Sequence, residues 1–260
     1  MPSRRMLALF CVAALATACG GKSEPSSTSG GAKGGAPESA KVDPATAATI
    51  SGKVMLEGTA PKNEPIKMNA DAVCMRKNAT PQAQETYTVG DGGSLQNVFV
   101  YVKDGLGTRQ FDTPSQEITL DQQSCRYHPH VFGIQTGQTM VILNSDPTLH
   151  NIHALPKAGE NDEFNTGQPI QGMKTNHVFT KKEVMVPFKC DVHGWMNAYV
   201  GVLDHPYFAV TGDKGTFELK NLPPGTYTIE AWHEKGGTQT MSVTVGPKET
   251  KEANFTFKVS

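Results

Sequence analysis

The sequence predicts an all-β protein of sandwiches or barrels, and three observations predict it. Short runs of β-branched and aromatic residues recur from Thr49 to the C-terminus, separated by turn residues. The 260 residues include 26 Gly and 17 Pro, which favours many turns over long helices and leaves room for one or two domains. Only residues 70–78 suggest a helix, and a short one. A formal charge of −1 offers no basic field for nucleic acid, and beyond the N-terminus no apolar run is long enough to span a bilayer.

The N-terminus reads as an address. Arg4 and Arg5 make a positive start, residues 6–16 an apolar stretch, and Ala16-Thr17-Ala18 a small-residue cleavage site, so residues 1–18 form a signal peptide. Leu15-Ala16-Thr17-Ala18-Cys19 resembles a bacterial lipobox, whose cysteine is lipidated after cleavage. The other reading is an ordinary secretory signal with a chance cysteine, and both imply export. The lipobox resemblance implies a lipid anchor in the bacterial envelope facing the periplasm. Gly20 after Cys19, rather than Asp, resembles outer-membrane sorting. Residues 19–48 follow as the lipidated Cys19 and a linker rich in Gly, Ser, Ala, Pro and Lys. Such a segment cannot bury enough surface to offset its ordering entropy, so it serves as a flexible tether.

From residue 49 the strand candidates are 50–57, 96–103, 117–120, 131–135 and 139–143, the last two joined by Gly137-Gln138 as a hairpin turn. They continue at 177–180, 183–188, 198–203, 215–219, 226–232, 240–245 and 253–259. Ile50-Ser51-Gly52-Lys53-Val54, with the run from Asn97 to Asp104, resembles the opening strands of the carboxypeptidase regulatory-like, transthyretin-like sandwich. The run from Tyr207 to Ile229, with Gly215-Thr216-Phe217 and Leu222-Pro223-Pro224-Gly225-Thr226-Tyr227, is similar to its closing half. The resemblance implies that residues 49–111 and 206–260 are two halves of one Ig/transthyretin-like β-sandwich. Residues 112–205 would then be a second domain inserted between them, an arrangement that exposed loop tips tolerate. A simpler alternative places the domains in series.

Residues 112–205 carry the chemistry. One segment reads Asn144-Ser145-Asp146-Pro147-Thr148-Leu149-His150-Asn151-Ile152-His153, and another reads Cys190-Asp191-Val192-His193-Gly194-Trp195-Met196 after the apolar run 184–188. A thiol, two imidazoles and a thioether are soft and borderline donors, the set of a mononuclear copper centre that cycles between Cu(I) and Cu(II). A spacing of three lets one tight loop turn Cys190, His193 and Met196 inward, while His150 arrives from a separate segment. These two segments resemble the cupredoxins, the blue copper proteins, in the short-loop form of the amicyanin and plastocyanin type. The resemblance implies a Greek-key β-sandwich holding one type 1 copper on His150, Cys190, His193 and Met196. Asn151 falls where that family ties its two ligand loops together.

Competing readings fit the residue types less well. Structural zinc does not use Met, and a c-type haem needs a second cysteine next to Cys190. A multicopper oxidase would resemble His-Cys-His, whereas Cys190 is flanked by Lys189 and Asp191. A catalytic Cys–His pair lacks a visible oxyanion hole or orienting partner. The plain reading is a buried free cysteine beside chance histidines. His153 stays open as a substitute for His150 or as a neighbour of the site. His128 and His130 put two imidazoles on one face of an extended segment, either a further metal site or ordinary surface histidines, and His177, His205 and His233 read as surface histidines too. Trp195 either shields the site, faces a partner or packs in the core, and Met173 reads as loop or core. Of the five cysteines, Cys11 leaves with the signal, Cys19 takes the lipid and Cys190 takes the metal. Cys74 and Cys125 then remain to pair in an oxidising compartment.

A centre filled by His, His, Cys and Met leaves no open position for a substrate, so the expectation is not an enzyme but a membrane-tethered electron carrier. Its partners would be redox proteins such as a c-type cytochrome or a periplasmic oxidoreductase. His193, on the loop, is the candidate for the electron path. Two other classes remain: a copper-binding protein that delivers the ion, and a carbohydrate-binding-like surface module.

Overall fold

A computed structural model describes residues 41–259; the signal peptide, Cys11, Cys19 and most of the linker lie outside the described residues. From the first described strand the order is β1 (Ala48–Glu57), α1 (Ala72–Lys77), β2 (Phe99–Asp104), β3 (Ile118–Gln123), β4 (Arg126–His128), β5 (Val131–Gln135) and β6 (Thr139–Asn144). Then come β7 (His150–Ala154), β8 (Phe164–Gln168), β9 (Lys174–Val178), β10 (Glu183–Lys189) and β11 (Asn197–Leu203). The chain closes with β12 (Phe208–Val210), β13 (Thr216–Leu222), β14 (Gly225–His233), β15 (Gly237–Val245), β16 (Thr250–Glu252) and β17 (Phe255–Lys258). The protein is all-β, and among the described residues no helix is long and apolar enough to cross a membrane.

Alternation builds the strands. On β1, Ile50, Val54 and Leu56 are buried while Lys53 and Glu57 face solvent, the period of a half-buried strand. Gly52 sits where β1 passes closest to its neighbour: a Cβ there would lie 2.0 Å from the Ala253 carbonyl oxygen.

Strands from both ends of the chain share two sheets. One has the order β13-β1-β16 with β17 also pairing β1, and the other the order β12-β2-β14-β15. Their shared core holds Ile50, Val54, Leu95, Val100, Phe217, Leu219, Tyr227 and Ile229. The middle of the chain forms two more sheets, β5-β11-β10-β7-β8 and β4-β3-β6-β9, around a second core of Leu120, Tyr127, Ile134, Ile142, Ile152, Phe179, Phe188 and Val200. The two sandwiches meet through aromatic rings laid on glycines. Gly133 and Gly201 pair across β5 and β11, and a Cβ on either would lie 2.3 Å from a ring, that of Phe208 or Phe99.

Gly137-Gln138 is not a hairpin turn. Gly137 does turn the chain, with φ of 79°, but β5 pairs with β11 and β6 with β3 and β9. The turn therefore carries the chain from one sheet to the other, which local composition does not reveal.

One excursion matters for the site. Between β1 and β2 the chain leaves its own sandwich, and Met68 and Cys74 are buried in the core of the other. Arg126 Nη1 donates to the Ala83 carbonyl at 2.9 Å, and Gln84 Nε2 to that of Trp195 at 3.2 Å. Helix α1 starts because Asp71 caps it, Oδ1 accepting the Val73 and Cys74 N–H groups at 2.7 and 3.0 Å. Asn78 ends it, Nδ2 donating to the carbonyls of Cys74 and Ser124 at 2.9 and 3.0 Å. Cys74 and Cys125 form a disulfide, with Cα atoms 5.6 Å apart.

Candidate metal centre

Two chain segments converge at one end of the second sandwich. After β6, Asn144 organises the turn before β7: Oδ1 accepts the Asp146 N–H at 2.9 Å, and Nδ2 donates to the carbonyls of Thr148 and Gln168 at 2.9 and 2.8 Å. Held in this way, β7 opens with His150 facing inward. After β10 the loop closes on itself, Cys190 N–H donating to Met196 O at 3.2 Å and Met196 N–H to His193 O at 2.9 Å. The His193 N–H points at Cys190 Sγ, 3.3 Å away.

The loop and β7 bring His150, Cys190 and His193 together. Nδ1 of His150 lies 2.9 Å from Nδ1 of His193, which lies 3.9 Å from Cys190 Sγ, and the donor atoms of all three residues fall within 4.8 Å of one another. Their exposures are 0, 1 and 3 %, so bulk water is kept out. Met196 is 1 % exposed and packs in the same apolar cluster as Cys190.

The outer ring nitrogens show which lone pairs face in. His150 Nε2 lies 3.0 Å from Asp146 Oδ2, and His193 Nε2 lies 3.2 Å from Asp71 Oδ2. A carboxylate only accepts, so each Nε2–H donates outward, and in the neutral ring that a metal requires Nδ1 is then the atom whose lone pair faces inward. Two imidazole lone pairs and a sulfur then meet in a buried spot. These two separations, 2.9 and 3.9 Å, are shorter than two metal–ligand bonds of roughly 2.0 to 2.3 Å laid end to end, so one ion reaches both pairs. This donor set fits a soft or borderline cation.

The local charges agree. Burial would push the Cys190 thiol up, but the His150 and His193 rings and the N–H groups of Asn151 and His193 bring it down to about 6. These groups favour the thiolate, the form that binds a metal. Burial would lower His150, but Asp146 and Cys190 raise it above the ordinary imidazole value. Negative groups on both sides of the ring thus favour positive charge here, which a metal ion supplies as well as a proton does. Burial also opposes ionisation of Asp146, yet His150, the Cys125 N–H, Lys77 and the Ser124 N–H hold its carboxyl at about 2.

Asn151 joins the two segments. Its Oδ1 accepts the Asp191 N–H at 2.7 Å and the Val192 N–H at 3.4 Å, and lies 3.2 Å from Cys190 Sγ. His153 points the other way, Nδ1 2.8 Å from Asp191 Oδ2 and Nε2 2.7 Å from Glu163 Oε1. The structure thus brings His150, not His153, to Cys190 and His193. Trp195 donates its indole N–H to the Cys125 carbonyl at 2.9 Å, with its ring centroid 5.0 Å from that of His193. Met173 sits in the turn before β9, its carbonyl accepting the Asn144 N–H.

Several histidines differ from the sequence reading. His128 and His130 do not share a face: His128 is exposed, while His130 is buried with Nε2 2.7 Å from Glu234 Oε1 and Nδ1 3.2 Å from the Asn197 carbonyl. β4 ends at His128 and β5 begins at Val131, so the two rings do not lie on one continuous strand. His205 and His233 are not surface residues but 6 and 1 % exposed, and His177 stacks on Phe164 at 3.9 Å. His193 presents no open ring edge, because Asp71 caps its Nε2 and Cys74 Sγ lies 3.7 Å from it. The excursion bearing α1 covers it.

Sequence reasoning did not find Asp71, Thr148 and Asp146. Asp146 stands four residues before His150, a spacing that could have pointed to it. Asp71 is 122 residues from His193 and carries no local signal.

The family model described as carboxypeptidase regulatory-like domain matches residues 196–258, starting within the loop at Met196 and covering less than half of the chain. A comparison with curated proteins finds no match. Among solved structures, the chain is similar to a purple cupredoxin from Nitrosopumilus maritimus, 24 % identical over 35 % of this chain and 99 % of that one, at a TM-score of 0.27. It is similar to a Cu(I) amicyanin variant at 22 % identity over 33 % of this chain and 81 % of that one, at a TM-score of 0.29. It is also similar to the Cu-containing nitrite reductase (NirK) from Thermus scotoductus SA-01, at 18 % identity and a TM-score of 0.32. That match covers 39 % of this chain, which spans only 25 % of the nitrite reductase.

Proposed function

We propose that the protein is a type 1 copper electron carrier, with His150, Cys190 and His193 as the strong ligands and Met196 as the weak axial one. The observation that carries this reading is the convergence of two Nδ1 lone pairs and the Cys190 sulfur in a buried site whose outer ring nitrogens are already committed to carboxylates. Copper bound there would exchange one electron between Cu(I) and Cu(II).

The chain's own residues supply the rest. Asn151 and the Cys190–Met196 loop hold the donors in place, which keeps rearrangement small when the charge changes. The donors are buried, and four ligands leave no open position for a substrate, so the reading assigns no turnover. It also favours retention of the ion over its delivery. The lipid on Cys19 and the tether would let the carrier dock transiently with a c-type cytochrome or a periplasmic oxidoreductase from an anchored position.

The test is an optical and EPR spectrum of the Cu(II)-loaded protein beside its Cys190→Ser variant. An intense visible thiolate-to-copper band with narrow hyperfine splitting, both lost in the variant, is the expected result. A pale Cu(II) spectrum indifferent to Cys190 would sink the assignment.

A further inference from the structure

Behind the two imidazoles stands a second layer built twice to the same plan. Asp71 accepts two backbone N–H groups on Oδ1, and on Oδ2 the Thr148 hydroxyl at 2.9 Å and the His193 ring at 3.2 Å. Asp146 accepts the Ser124 N–H at 2.9 Å and the Lys77 ammonium at 3.1 Å on Oδ1. On Oδ2 it accepts the Cys125 N–H at 2.7 Å and the His150 ring at 3.0 Å. One backbone donor to each carboxylate belongs to a disulfide cysteine, Cys74 for Asp71 and Cys125 for Asp146, and those two are bonded to each other. The disulfide therefore ties the two carboxylates into one unit across the chain.

We propose that Asp71 and Asp146 are the positioning residues of the metal centre, a carboxylate clamp joined by the Cys74–Cys125 disulfide that aims both Nδ1 atoms inward and biases the centre toward Cu(II). This rests on the copper reading. The physical grounds are two. A carboxylate on the outer nitrogen fixes ring orientation and tautomer and makes the inner nitrogen a stronger donor. Two negative charges beside a water-excluded site stabilise the more positive metal state more than the less positive one. Asp146 is the more buried member, its side chain fully covered where that of Asp71 is 19 % exposed, but it shares its charge with Lys77.

The test uses the full chain with Asp71→Asn and Asp146→Asn, which keep shape and remove charge, each first shown to fold by near-UV circular dichroism. Outer-layer changes of this kind cost 10–100-fold in metal affinity. Cu(II) affinity is expected to fall by that much and Cu(I) affinity by less, so the reduction potential rises by 59 mV for each tenfold difference between the two losses. In the Cu(I) form, NMR should show ring N–H protons of His150 and His193 protected from exchange, with protection lost at His193 in Asp71→Asn and at His150 in Asp146→Asn. Zn(II), which has no redox chemistry, separates the possible failures. If wild type gives a pale Cu(II) spectrum but the variants still lose Zn(II) affinity 10–100-fold, the copper reading falls and the clamp stands. If wild type is type 1 yet potential, affinities and ring protons are unchanged in the variants, the clamp is overturned. Should Asp146→Asn not fold, Asp71→Asn decides alone by the same readouts at His193.

Discussion

Asn151 Oδ1 accepts the Asp191 N–H at 2.7 Å, so one side chain on β7 fastens the loop that carries Cys190 and His193 to the strand that carries His150. The same residue reaches the neighbouring strand β8 with Nδ2, donating to Asn165 Oδ1 at 2.7 Å. A single amide thus sets the spacing between segments that are forty residues apart.

Asn151→Ala leaves the Asp191 and Val192 N–H groups without their acceptor. Because these two residues lie at the surface, losing the bonds costs about 0.5–1.5 kcal/mol. Urea unfolding of the metal-free protein should show that loss, and metal affinity should fall with it. An unchanged midpoint would mean that the bonds between Cys190 and Met196 hold the loop alone.

The Cys74–Cys125 disulfide closes a loop of 51 residues, for which the chain-entropy account gives about 4 kcal/mol. The double variant Cys74→Ser with Cys125→Ser should lose most of that against the oxidised protein in the same denaturant series. Equal stabilities would show that the packing of Met68 and α1 holds the excursion down without a covalent link.

His205 carries a pH signature. Burial drops its imidazole to about 4, against an ordinary value near 6.5. Above 6.5 the ring is neutral folded and unfolded, and it contributes nothing. As pH falls from about 6.5 toward 4 the unfolded chain takes the proton first, so folding stability falls, by about 3 kcal/mol from this group once the folded ring also protonates. His233 is shifted in the same direction by burial and adds to the trend. Denaturant midpoints measured from pH 8 to pH 4 should show the decline, shallower in His205→Gln; identical slopes for the two proteins would contradict it.

Glu234 meets the buried His130 at 2.7 Å and accepts the Tyr199 hydroxyl at 3.4 Å, bridging β14–β15 of one sandwich to β5 and β11 of the other. Losing a hydrogen bond to a charged group costs about 1.5–3 kcal/mol. Glu234→Ala should lose that much and uncouple the unfolding of the two sandwiches. A loss below about 1 kcal/mol would mean that the Phe99 and Phe208 rings on Gly201 and Gly133 suffice to join them.

Much of the architecture was legible because it rests on local pattern. Alternation placed most strands near their observed bounds: 131–135 coincides with β5, and 183–188 falls within β10. The short β4, β12 and β16 have too few residues for alternation to register. The choice between His150 and His153 was open in the sequence, since both are imidazoles in one segment. They stand three apart on β7, and residues an odd number apart on a strand face opposite ways. Only the strand's orientation told which face is inward. The Gly137 turn was visible, but not that its flanking strands belong to different sheets.

The sequence by itself determined the candidate donors and their loop spacing, the β character and, by elimination among five cysteines, the pairing of Cys74 with Cys125, because each follows from residue types, local spacing or a count. Tertiary structure alone decided what stands behind the donors. Asp71 reaches His193 across 122 residues, and the excursion between β1 and β2 buries a ring that its loop position would leave open. The physical reason is that a hydrogen bond or a desolvated face is a property of distance in space, and only the pairing of strands from distant parts of the chain sets that distance.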